Sequence, residues 1–141
     1  MSRHRRIGID TNIFIYQLEA TPKYLPLTDC VFSWLEFTDS AAVTSTVAMI
    51  EVLVKPYRES AIATVDKCRA LLSIYPNLAW ISPGLALADL AAEIRATHRL
   101  RTPDAIQTAT ALQGRATAIV TNDPIFRRVV DLDVLVLDDY V

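Results

Sequence analysis

Glycine, cysteine and histidine are all scarce in this chain. Its 141 residues include three glycines (Gly8, Gly84, Gly114), two cysteines (Cys30, Cys68) and two histidines (His4, His98). Three isolated glycines cannot build a G-x-G-x-x-G or Walker A loop, which disfavours those two modes of nucleotide binding. So few histidines and cysteines leave no plausible His/Cys zinc site. Each cysteine falls in a helical pattern and reads as a reduced core thiol of a cytosolic protein, not as part of a disulfide framework. Long apolar runs are missing too. The basic opening Arg3-His4-Arg5-Arg6 leads into a short apolar stretch that Asp10 interrupts, so the expectation is no signal peptide, no membrane span and a cytoplasmic location. A formal charge of −2 neither announces nor excludes a nucleic-acid partner, because a local basic rim can act without a basic total.

What is present is a globular composition, with 52% hydrophobic and 21% charged residues. At this length the expectation is a single domain over residues 1–141 with a real core. Short apolar segments at Arg6 to Ile9, Ala41 to Thr44, Leu78 to Ile81, Thr117 to Val120 and Val134 to Leu137 predict five strands. Helical patterns fall between them. One helix is opened by Pro26, one runs from Thr46 to Lys55 and is stopped by Pro56, and one spans residues 60–74. A further helix carries the stripe Leu87, Leu90, Ala91 and Ile94. The last has Thr102 as its cap, Pro103 in the first position and an end near Gly114. Strands alternating with helices predict an α/β fold with a central, mostly parallel five-stranded sheet flanked by helices, an α/β/α sandwich.

The strands end in a suggestive way. The first runs into Asp10-Thr11-Asn12 and the fourth into Thr121-Asn122-Asp123. In open α/β sheets ligands gather outside the carboxyl ends of the strands, so Asp10 and Asp123 can converge on one site. Either acid also serves as an ordinary turn or capping residue. Glu51 falls one turn after Val47 in a helix whose apolar stripe reads as Val47, Ile50 and Val54. A carboxylate turned toward a core needs a cation, a hydrogen-bonding partner or a rim position, and a salt bridge to an arginine is the structural alternative. Asp104 lies in the first turn of its helix, where the helix dipole favours an acid whatever the function. Asp138 and Asp139 read as solvated. Acids brought together repel unless a cation lies between them, and oxygen ligation suits Mg²⁺ or Mn²⁺.

Taken in order, these segments resemble the motifs of PIN-domain ribonucleases. Asp10-Thr11-Asn12 looks like that family's first motif, and Thr44-Ser45 with Glu51 and Lys55-Pro56 resembles its second. The segment from Leu100-Arg101-Thr102-Pro103-Asp104 to Leu112 is similar to the third and is the most specific; Thr121-Asn122-Asp123 resembles the fourth. The compact size further resembles VapC-like toxins of VapBC toxin–antitoxin pairs. The resemblance implies that Asp10, Glu51, Asp104 and Asp123 hold one or two Mg²⁺ or Mn²⁺ ions and act in metal-dependent hydrolysis of RNA phosphodiesters. It assigns Asn12, Ser45 and Thr121 supporting parts. It also implies a VapB-like antitoxin, presenting an arginine to the carboxylates, and a homodimer formed through helices of the N-terminal half.

An RNA substrate needs cationic contacts to its backbone, for which Lys55, Arg58, Arg99, Arg101 and Arg127 are the candidates near the motifs, with Tyr16 or Tyr57 for stacking. A stripe of Phe14, Tyr16, Phe32 and Phe37 suits either a dimer face or the core. Two rival classes stand beside the nuclease. A phosphoryl-accepting enzyme of the haloacid-dehalogenase type wants an Asp where this chain has Asn12. A non-catalytic module of the same fold would bind RNA or protein without turnover.

Overall fold

The computed structural model describes residues 3–141. Five strands form one sheet: β1 (Arg6–Ile9), β2 (Ala41–Ser45), β3 (Leu78–Ile81), β4 (Ala118–Thr121) and β5 (Asp133–Val136). Their order is β3-β2-β1-β4-β5, and every pairing is parallel. The expected "mostly parallel" sheet is therefore wholly parallel. Six helices connect the strands: α1 (Thr11–Leu18), α2 (Leu25–Phe37), α3 (Val47–Arg58), α4 (Ile62–Ile74), α5 (Leu85–His98) and α6 (Thr102–Gln113). From β1 the chain moves outward through β2 and β3, then crosses back to β4 and β5. The order reverses between β1 and β4, which makes that junction the topological switch point of the sheet.

Side chains of a strand alternate between faces, and two helical layers use the two faces of this sheet. Ile7, Ile9, Ala42, Ala118 and Val120 join a core with Ile13 and Phe14 of α1, Val31 and Leu35 of α2, Val52 of α3 and Leu72 of α4. Val43 and Ile119 point the other way, against Ala111 of α6. Gly8 shares that second face, and a Cβ built there would come within 2.9 Å of Ala111 Cβ. Glycine lets α6 lie directly on β1.

α6 is buried on nearly every side, with Asp104, Ala105 and Gln107 through Ala111 all enclosed. Its two buried threonines are satisfied inside the helix, Thr108 donating to the Asp104 carbonyl at 2.9 Å and Thr110 to that of Ile106 at 2.7 Å. Arg101 rather than Thr102 occupies its cap position, and Pro103 falls in the first turn. At the other end Gly114 keeps an ordinary φ of −76°, while Arg115 takes the left-handed φ of 61°. Gly114 is instead required by close packing, since a Cβ would meet the Thr110 carbonyl at 2.9 Å and Val43 at 3.0 Å.

Several local expectations are corrected. α3 does not stop before Pro56 but runs through it to Arg58; the proline lies in the last turn, where it removes a single backbone bond, and its ring is buried. The buried face of α3 is Ala48, Val52, Leu53 and Pro56, whereas Ile50 and Val54 are exposed at 67% and 41%. The stripe read through Val47, Ile50 and Val54 therefore faces outward. Phe14 and Phe32 are core residues with ring centroids 5.8 Å apart, and Tyr16 is half-buried, which leaves Phe37 as the exposed member of that stripe. Cys30 is exposed on α2 and only Cys68 is partly enclosed, so the reading of both as core thiols fails for Cys30. Among the described residues no helix is long and apolar enough to cross a membrane.

Candidate active site

β1 and β4 end side by side at the switch point, and each delivers an acid. Asp10 follows β1 and caps α1, its Oδ1 accepting the Thr11 backbone N–H at 2.8 Å. The Thr121 hydroxyl, at the end of β4, donates to Asp10 Oδ2 at 2.7 Å and accepts the Asp123 N–H at 3.0 Å. Asp123 is turned by its own capping role, its Oδ1 accepting the Ile125 N–H at 3.0 Å at the start of a 3₁₀ turn, Pro124–Arg128. Asn12 Oδ1 accepts the Asn122 N–H at 3.2 Å, tying the ends of the two strands together. The two strand-end motifs form one hydrogen-bonded unit.

The two helical acids reach the same place. Glu51 accepts the Thr11 hydroxyl at 2.7 Å, so it has a hydrogen-bonding partner rather than the arginine its position also allowed. Asp104, 5% exposed, receives Arg101 Nε at 3.2 Å on its Oδ2. Asp10, Glu51, Asp104 and Asp123 line one cleft of about 320 Å³, together with Thr11, Asn12 and Arg101. Ser45 and Thr121 are fully buried beneath it. Ser45 Oγ accepts the Val47 N–H at 3.2 Å at the start of α3 and makes no hydrogen bond to any of the four acids.

The electrostatics follow from burial. Loss of solvent pushes the Asp10 carboxyl up from 3.8 to about 6; the hydrogen bonds from Thr121 and Thr11 oppose this, and the charges of Asp104 and Glu51 add to it. An ionised Asp10 thus lacks compensating positive charge from the protein. Every donor lining the cleft through these acids is an oxygen, a set that fits Mg²⁺ or Mn²⁺. Among the described residues no three His, Cys, Asp or Glu side chains are drawn into a tight cage; the carboxylates stand around the cleft instead.

Of the five cationic candidates, Arg101 alone lines this cleft. Lys55 lines an adjoining groove of about 220 Å³ and pairs with Glu19 at 3.6 Å. Arg127 pairs with Asp139, Arg58 is exposed at the end of α3, and Arg99 is exposed in a left-handed cap after α5. Those four are not gathered around the acids. Asp138 is engaged as well as exposed, accepting the Tyr24 hydroxyl at 2.7 Å.

One residue escaped the sequence reading. Gln107, 2% exposed, places its Oε1 3.1 Å from the Ser45 backbone N–H, linking the helix of Asp104 to the strand that leads to Glu51. Its signal was an amide in a helix segment otherwise made of small and apolar residues, where a polar group is costly to bury; among the described residues its Oε1 is partnered and its Nε2 is not.

Fold and cleft together define an α/β protein with an acid-lined crevice at the carboxyl edge of a parallel sheet. More narrowly, the chain belongs to the PIN-domain family, whose profile matches residues 7–132. A search of curated proteins gave no match. Among solved structures, a toxin–antitoxin complex from Klebsiella pneumoniae aligns at 22% identity with a TM-score of 0.71, covering 93% of this chain and 97% of that one. DNA-bound VapBC from Salmonella typhimurium aligns at 16% identity and TM-score 0.65, covering 94% and 98%. Mycobacterium tuberculosis VapC20, described as a sarcin-ricin-loop-cleaving toxin, aligns at 15% and 0.63, covering 80% and 86%. At such identities the likeness is one of fold.

Proposed function

We propose that this chain, acting as one domain over residues 1–141, is a metal-dependent endoribonuclease and the toxin of a toxin–antitoxin pair. The observation that carries the reading is the meeting of Asp10, Glu51, Asp104 and Asp123, from four separate segments, in one cleft at the switch point. These oxygens would hold one or two Mg²⁺ or Mn²⁺ ions, which would supply Lewis acidity for hydrolysis of a phosphodiester.

The chain's own part is positioning. Asp10 would be the central ligand, and Thr121 and Thr11 fix its two oxygens. Asp123 is held at a set angle by the Ile125 N–H, and Glu51 is tethered by the Thr11 hydroxyl. Asp104 completes the set from the first turn of α6. Arg101, at the mouth, is the nearest cation for an RNA phosphate; the outlying Lys55, Arg58, Arg99 and Arg127 extend that role along the backbone.

Partners follow from the same surface. The groove of Ile15, Leu18, Val52, Lys55 and Pro56 shares Ile15 and Glu51 with the acid cleft, and suits an antitoxin segment that ends in a basic side chain. Ile50, Val54 and Tyr57 stand exposed at helical spacing on α3 and are the contact we assign to a second copy.

The test is cleavage of a mixed RNA pool by purified, partner-free chain with Mg²⁺ or Mn²⁺, with EDTA, and with Asp10→Asn. Cleavage that needs both the metal and Asp10 is the expected result. A folded chain that binds RNA but cleaves nothing under either metal is instead a binding module.

A further inference from the structure

Three of the four acids are oriented by neutral groups of the fold. Thr11 N–H and Thr121 hold Asp10, the Thr11 hydroxyl holds Glu51, and the Ile125 N–H holds Asp123. Those donors are uncharged, so they are not rivals of a cation for the carboxylate charge. Asp104 differs: among the described residues its carboxylate receives a hydrogen bond from Arg101 alone. The pair is lopsided, the Asp104 side chain being 8% exposed and that of Arg101 72%.

The backbone explains the geometry. Arg101 precedes α6 in an extended conformation (φ −70°, ψ 158°), so its side chain starts outside the helix and folds back onto the first turn. There it feels Asp104 most strongly and also the charges of Asp123 and Glu51, all of which favour its protonated form. A guanidinium does not give up its proton at any ordinary pH, so it can leave Asp104 only by moving.

We propose that Arg101 is a built-in counter-cation for Asp104, occupying that carboxylate in the metal-free chain and yielding it when a divalent ion binds. The inference rests on the metal-binding part of the proposed function. Ion and guanidinium compete for one carboxylate, so Arg101 weakens metal uptake while balancing the charge of Asp104 until an ion binds. Because the arm is exposed, the competition is mild, on the order of three- to fivefold in affinity.

The experiment is calorimetric titration of Mg²⁺ and Mn²⁺ into the purified full chain, Arg101→Ala and Arg69→Ala. Arg69 pairs with Asp66 on α4, outside the cleft, and its loss removes the same charge. In parallel, the Arg101 Nε–H resonance is followed by NMR as Mg²⁺ is added. The proposal expects tighter binding by Arg101→Ala, unchanged binding by Arg69→Ala, and movement of the resonance toward that of a solvated arginine at saturation. Equal or weaker binding by Arg101→Ala, an equal gain in Arg69→Ala, or a resonance that does not move overturns it and leaves the metal site intact. If neither the parent chain nor Arg101→Ala takes up either metal, the proposal and the metal reading fall together. RNA cleavage is scored separately: an Arg101 effect on metal uptake without cleavage removes the nuclease and keeps the counter-cation.

Discussion

Gln107 reaches out of α6 to accept the backbone N–H of Ser45 at 3.1 Å, with the Thr44 hydroxyl 3.4 Å from the same oxygen. One amide thereby fastens the helix that carries Asp104 to the strand that leads into the helix of Glu51. Replacing it with Ala leaves the Ser45 N–H buried without an acceptor, at a cost of about 1–3 kcal/mol. Gln107→Ala is expected to unfold at lower urea than the parent chain. Parent-like stability in Gln107→Ala would show that another group takes over the bond.

Asp10 makes the metal-free fold sensitive to pH. The folded chain binds this proton more tightly than the unfolded chain, since burial raises the carboxyl from 3.8 to about 6. The stability Asp10 confers is therefore fully present below about pH 4 and is lost as the pH rises to about 6, a loss of up to about 3 kcal/mol. Asp10→Asn does not titrate. In EDTA it is expected to be more stable than the parent near neutral pH, with the gap closing in acid. Adding Mg²⁺ should then raise the melting temperature of the parent and leave the variant nearly unmoved. A gap that is independent of pH contradicts the account.

Thr121 holds Asp10 in check. Its hydroxyl is the largest of the influences that oppose the rise caused by burial. Thr121→Val removes that donor and also the acceptor for the Asp123 N–H. The Asp10 carboxyl of the metal-free variant should titrate higher than in the parent, as read by carbon NMR of the side-chain carboxyls. Thr121→Ser keeps the hydroxyl and should titrate like the parent.

Thr11 does two jobs with separable atoms. Its backbone N–H binds Asp10, and its hydroxyl binds Glu51. Thr11→Val preserves the first and deletes the second. Cleavage is expected to fall by about 10- to 100-fold, the usual range for groups that orient metal-binding side chains, with the circular dichroism spectrum unchanged and Thr11→Ser active. Full activity in Thr11→Val would mean that Glu51 needs no tether.

Much of this architecture was legible because strands, breakers and acids leave short-range marks. Asp10 and Asp123 follow apolar segments directly, and Thr102-Pro103 marks the start of the helix that carries Asp104. Glu51 was found for a reason only half correct: its helix was given the wrong inner face. Val47, Ile50 and Val54 have the spacing of a core stripe, but so do Ala48, Val52 and Leu53, and spacing alone does not say which face meets the sheet. Pro56 misled because a proline in a last turn forfeits so little. Gln107 stayed hidden because α6 is enclosed on almost all sides, which erases the polar–apolar rhythm that distinguishes one face from another. Pairings such as Arg101 with Asp104, against Arg127 with Asp139, depend on where loops turn, and composition carries no record of that.

The close approach of α6 to β1 has a consequence for the acids themselves. Gly8 touches Ala111, two residues before Asp10 on the strand and two helical turns beyond Asp104 on the helix. A methyl group added there would stand 2.9 Å from Ala111 Cβ, so the strand that leads to Asp10 and the helix that carries Asp104 would have to shift against one another. The calibre of the crevice is thus gauged at a point where no charged atom lies, by a hydrogen in the place where any other amino acid would carry carbon.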